Sequence, residues 1–154
     1  MTPRPQHLTL PDVAGDAAAA ARPLDWVGMR RIALPLRIRG DAGDSLQVPA
    51  SVDVFVDLRD ADARGIHMSR LYLRLQDSLV EEVLTPARLR RVLQECLDSQ
   101  GALSSSARLV LRFDQMLRRR ALATDNAGWK RYPVEIDALL ADGHMTLSLS
   151  YAID

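Results

Sequence analysis

Between residues 46 and 58 every second position is apolar: Leu46, Val48, Ala50, Val52, Val54, Val56 and Leu58 share one parity, and Gln47, Ser51, Asp53 and Asp57 share the other. A two-residue period places the first set on one face of an extended strand and the second set on the opposite face. A helix would scatter the same residues around its surface, because positions i and i+2 point in different directions. The segment therefore needs neighbouring strands for its backbone and a cover for its apolar face.

Partners lie on both sides. Ile32, Leu34, Leu36 and Ile38 alternate against Arg31 and Arg37, which predicts a strand over residues 27–38. Gly40, Asp41, Ala42, Gly43 and Asp44 have turn composition, so the two strands pair as an antiparallel hairpin. Further on, Leu109, Leu111, Phe113 and Leu117 alternate with Arg108, Arg112, Asp114 and Arg118. Residues 124–128 turn the chain into a strand marked by Tyr132, Val134, Ile136 and Ala138. Asp142-Gly143 is a tight hairpin turn, and Met145, Leu147, Leu149, Tyr151 and Ile153 define a last strand. No repeat of solenoid period is present.

The cover comes from the middle of the chain. Thr85 is a helix cap, Pro86 suits a first helical position, and Leu89, Val92, Leu93, Cys96 and Leu97 form one apolar stripe that stops at Gly101. Arg88, Arg91, Glu95 and Asp98 lie off that stripe. Residues 65–79 carry two periods at once. Met68, Leu71, Tyr72, Leu75 and Leu79 make a helical stripe, whereas Leu71, Leu73 and Leu75 also alternate; the straight-chain Leu, Arg, Gln and Met content decides for a helix. The order strand, strand, helix, helix, strand, strand, strand predicts an α+β fold: an antiparallel β-sheet with two helices packed on one face. The other face, rich in Arg, Asp and Ser, is left to solvent or a partner subunit.

At 154 residues the chain fits one domain, large enough to bury roughly 70% of its unfolded surface. Residues 1–25 hold four of the eight prolines and an alanine-rich run with no large apolar anchor. They read as an extended or poorly ordered arm, with the folded module over 26–154. Acidic and basic residues balance at 20 each, so no global field favours nucleic acid or an anionic membrane. Arg88, Arg90, Arg91 and the run Arg118-Arg119-Arg120 lack interleaved aromatics and read as solvated faces or subunit contacts. The lone Cys96 excludes an intramolecular disulfide framework, and no run is apolar and long enough for a signal segment or a span; the reading is cytoplasmic.

Chemistry concentrates in Gly65-Ile66-His67-Met68-Ser69-Arg70-Leu71. At a helix start, His67, Ser69 and Arg70 would share one turn with unpaired backbone N–H groups, an arrangement that attracts a phosphate or a purine edge, with Arg70 as a bidentate donor. On the residues alone the plainer reading leads: His67 and Ser69 merely cap the helix and Arg70 is solvated. Cys96, inside a helical stripe, reads as a buried inert thiol, and His7 and His144 carry no role.

That same segment, preceded by Val52-Asp53-Val54-Phe55-Val56-Asp57-Leu58, resembles the type IB GTP cyclohydrolases, a metal-dependent family that opens folate synthesis. The similarity runs from Pro11-Asp12-Val13 through Leu24-Asp25-Trp26-Val27-Gly28-Met29 to Asp154, and it is with the family's amino-terminal half. It implies a ββααββ-like tunnelling-fold module, the first of two, in a homo-oligomer with active sites at subunit interfaces. The implied reaction converts GTP and water to 7,8-dihydroneopterin triphosphate and formate, with a divalent metal (zinc, manganese or iron) activating water. The family's cysteine ligand sits in a Cys-Pro-Cys-type segment beyond the last strand here, and its His and Glu ligands lie in the second module, so no metal ligand carries over. His67, Ser69 and Arg70 carry over as contributors to the substrate pocket. The alternation of the last strand is still running at Asp154, so the sequence reads as one that continues, and the 154 residues alone are expected to be inactive. The alternative is a non-catalytic one-module protein that oligomerises or binds a purine.

Overall fold

The computed structural model describes residues 22–153. Its elements are β1 (Leu24–Arg39), β2 (Ser45–Leu58), α1 (Met68–Leu79), α2 (Pro86–Gln100), a 3-10 turn (Gly101–Leu103), β3 (Ser106–Arg120), β4 (Ala127–Ala141) and β5 (His144–Tyr151). The arm read over residues 1–25 lies, as far as residue 21, outside the described residues, and β1 begins at Leu24. The five strands form one sheet in the order β1-β2-β3-β4-β5, each pair antiparallel, so every strand neighbours its sequence neighbour.

Alternation sets which side chains go inside. Leu34 and Leu36 of β1, Val52, Val54 and Val56 of β2, Leu109 and Leu111 of β3, and Ala138 and Leu140 of β4 all join one core. Leu71, Leu75 and Leu79 of α1 and Leu89, Val92, Leu93 and Cys96 of α2 close over it from the other side. Helix α1 lies over β1 and α2 over β3 and β4. Ser78 donates to Glu95, which ties the two helices together above the core. The segment 65–79 is a helix from Met68, as its composition predicts, with Leu73 turned outward and half exposed.

Three details depart from the sequence reading. First, Val27 and Met29 pack on the core together with Ile32, although they have the opposite parity. A bulge explains this: Met29 pairs with Val54 and Ile32 with Val52, which leaves Arg30 and Arg31 opposite Asp53 alone. Second, β3 and β4 run on to Arg120 and Ala127, past the point where alternation stops. Pairing of β2 with β3 ends at Ala50 and Phe113; the next residue of β2 is Pro49, which has no N–H to offer. Beyond it β3 and β4 continue as a two-stranded ribbon wet on both faces, so three consecutive arginines are tolerated there. Third, Arg88 is buried rather than off the helix stripe, because its Nη1 reaches Glu82 at 2.9 Å.

Candidate functional site

The first turn of α1 holds the residues singled out by sequence. Ile66 before the cap and Leu71 in the first turn both belong to the core and occupy the positions of a hydrophobic staple, which sets the angle at which the chain enters the helix. His67 is the cap residue, half-buried, and its side chain makes no capping hydrogen bond. Instead its backbone is held from the far end of α2. The N–H of His67 donates to Gln100 Oε1 at 2.7 Å, and Gln100 Nε2 donates to the carbonyl of His67 at 3.2 Å. Ser69 and Arg70 follow as the second and third helical residues, both exposed. No acidic side chain lies in this turn, so the positive end of the helix is not neutralised from within. The structure thus brings His67, Ser69 and Arg70 onto one exposed helix start, a place that favours an anion or the polar edge of a base.

A second constellation, on the sheet face away from the helices, was not singled out by sequence. At the β1 bulge Arg31 has φ 56°, a left-handed conformation that costs a residue other than glycine about 1–2 kcal/mol. Its N–H donates to Asp53 Oδ1 at 2.8 Å. Asp53 Oδ2 accepts from Arg112 Nη1 at 2.9 Å and lies 3.8 Å from Arg30 Nε. Arg112 also donates through Nε to Glu135 at 2.7 Å, so a charge ladder crosses β2, β3 and β4. Burial of Asp53 pushes its carboxyl pKa up, but the bonds from Arg112 and the Arg31 N–H, with the charges of Arg112 and Arg30, outweigh that and hold it below its ordinary value.

Around this carboxylate Arg30, Arg31, Ser51 and Arg112 line a pocket of about 480 Å³. It continues into a groove of about 870 Å³ whose walls include Pro49, Phe113, Val134 and Tyr151. An apolar groove joined to a few convergent polar groups is the usual form of a small-molecule site. The parity break between Val27, Met29 and Ile32, Leu34 was the signal that would have revealed the bulge and its two arginines.

Among the described residues no group of three or more His, Cys, Asp or Glu side chains is placed to hold a metal ion. Cys96 is fully enclosed in the core, and burial, assisted by the charge of Glu95 and opposed by Arg74, pushes its thiol up to about 12. A thiolate ligand needs the opposite shift. His144 is exposed at the start of β5, and His7 lies outside the described residues. No helix of the described residues is long and apolar enough to cross a membrane.

Residues 10–154 match the family model described as type I GTP cyclohydrolase folE2. The chain is 45% identical over 146 residues to the GTP cyclohydrolase FolE2 of Pseudomonas putida, which covers 94% of this chain and 46% of that protein. It is 49% identical over 142 residues to GTP cyclohydrolase FolE2 1 of Burkholderia lata, covering 90% of this chain and 44% of that protein. The chain therefore spans a little under half the length of these relatives. With a match that takes in β1 to β5 and both helices, the chain belongs to the type I GTP cyclohydrolase folE2 family.

Proposed function

We propose that this protein takes part in the hydrolysis of GTP to 7,8-dihydroneopterin triphosphate and formate, the first step of tetrahydrofolate synthesis, as the tunnelling-fold module that binds substrate. The observation that carries the reading is the family match over residues 10–154, supported by identity of 45% and 49% to two proteins named GTP cyclohydrolase FolE2. His67, Ser69 and Arg70 contribute to the pocket: the guanidinium offers paired donors to a phosphate or a guanine edge, and the helix start adds backbone N–H groups. The Gln100 clamp holds that turn in place before substrate arrives, so less ordering is needed on binding.

The family's divalent metal supplies activated water when it is bound. The described residues of this chain do not fit that ion, because they offer no three-ligand cluster and their thiol is buried. What the chain itself does is bind and orient. Active sites between subunits of a homo-oligomer agree with the outer strand β5, where Leu149 and Tyr151 stand 62% and 60% exposed. The setting is cytoplasmic, where GTP is available.

The second reading is purine binding without catalysis. Both readings meet the same experiment. The native protein, isolated from its source, is incubated with GTP and a divalent metal while formate, pterin fluorescence and GTP binding are followed. Formate and pterin in equal amounts support the cyclohydrolase; binding without formate supports the second reading. Failure to bind GTP overturns both.

A further inference from the structure

We propose that the β1 bulge builds an oxyanion seat for phosphate groups on the sheet face opposite the helices, formed by the guanidinium groups of Arg30, Arg31 and Arg112 and the hydroxyl of Ser51. Three features carry it. The bulge puts two consecutive arginines on the same side of the sheet, where plain alternation would have put one of them in the core. Asp53, only 2% exposed, is spent on holding this arrangement: it takes the Arg31 N–H at 2.8 Å and Arg112 Nη1 at 2.9 Å, which fixes the backbone of one arginine and the side chain of another. The Arg31 guanidinium itself makes no ion pair or hydrogen bond among the described residues, and that of Arg30 is 73% exposed.

The charges leave an excess that suits a phosphate. Three arginines face two carboxylates, Asp53 and Glu135, and Arg112 is the one engaged by both. Arg30 and Arg31 therefore keep most of their donors for a ligand, and guanidinium forks match phosphate oxygens in pairs. At about 480 Å³, against about 30 Å³ for a water molecule, the pocket has room for more than one phosphate group. Its continuation into the apolar groove lined by Phe113, Val134 and Tyr151 leaves space for the remainder of a phosphorylated ligand. Strain at Arg31 fits the same picture, because a non-glycine residue held at φ 56° marks a position where side-chain placement outweighs backbone preference.

Orthophosphate and tripolyphosphate are the probes, titrated by calorimetry at fixed ionic strength so that bulk screening is constant. Saturable binding of tripolyphosphate is expected, weakened about tenfold by Arg31→Asn and by Arg30→Gln. Asparagine tolerates the left-handed conformation, and Arg30 is exposed, so at least one variant keeps the fold; circular dichroism checks both. Arg74→Gln, which removes an equal charge from the helix side, is expected to leave affinity within about twofold. Absence of saturable binding, or equal losses in all three variants, overturns the proposal. Titration with GTP then separates the sources. A parallel tenfold loss assigns the seat to nucleotide phosphates, and unchanged GTP binding assigns it to free phosphate or polyphosphate. Neither arm depends on turnover, so failure here is distinct from failure of the cyclohydrolase reading.

Discussion

Gln100 grips both backbone groups of His67, accepting from its N–H at 2.7 Å and donating to its carbonyl at 3.2 Å, across 33 residues of sequence. The last residue of α2 therefore fixes the first turn of α1. Gln100 is itself buried, so neither side of this pairing has water as a ready substitute. Gln100→Ala should cost about 1–3 kcal/mol of stability. Amide hydrogen exchange should also accelerate at His67 and Leu71, ahead of the rest of α1. Unchanged exchange at these two amides would show that the staple of Ile66 and Leu71 holds the turn without the clamp.

Arg70 is the most direct test of the substrate contacts proposed at the α1 start. Being exposed, it contributes little to packing, so Arg70→Ala should keep the far-UV spectrum of the folded protein. In the active enzyme it should raise KM for GTP by tenfold or more, the loss of a charge-assisted contact worth about 1.5–3 kcal/mol. Wild-type KM in a folded variant would remove Arg70 from the site.

Acid should weaken the fold through Asp57. Burial pushes its carboxyl up, but the N–H groups of Ser106 and Ser105, the Ser105 hydroxyl and Arg59 outweigh it, and the pKa lies below the ordinary value. A carboxylate depressed in the folded state contributes stability above its unfolded pKa of about 3.9, and that contribution disappears as pH falls through the lower folded value. Asp57→Asn should therefore be less stable than wild type by about 2 kcal/mol near pH 7. The gap should close on acidification below about pH 4. Urea midpoints between pH 7 and pH 3 measure it, and a gap independent of pH would assign the loss to packing rather than charge.

Much of the architecture was legible because period and position agree. The strict alternation of residues 46–58 became β2, Thr85-Pro86 began α2, and Asp142-Gly143 made the β4–β5 turn with both residues at positive φ. What stayed hidden came from pairing across the sheet. The parity break in β1 signals a bulge, but that its extra residue sets Arg30 and Arg31 together opposite Asp53 follows from the pairing with β2. Arg88 read as solvated because its burial depends on Glu82, a loop residue whose reach no helical wheel shows. His67, Ser69 and Arg70 stand out by residue type and by resemblance, whereas the clamp on the backbone of His67 joins two helices and has no sequence signature.

A close backbone approach between β1 and β2, at Gly28, gives a sharp stability test. Gly28 pairs with Phe55, and a Cβ added to it would sit 1.9 Å from the carbonyl oxygen of Val54 and 2.8 Å from Cα of Phe55. These are backbone atoms of a central strand, so they cannot swing aside as a flexible side chain would; β1 must lift from β2 or the ladder must shift register. Gly28→Ala should therefore cost about 3 kcal/mol or more, at the upper end of overpacking losses. Because Met29 and the bulge follow directly, the damage should spread to the hold of Asp53 on the Arg31 N–H. Gly65→Ala is the control, since a Cβ there meets nothing within 4 Å. Chemical denaturation of the two variants decides it: a large loss for Gly28→Ala beside a small one for Gly65→Ala places the constraint in the strand contact. Equal small losses would mean that β1 is free to move away from β2 at this point.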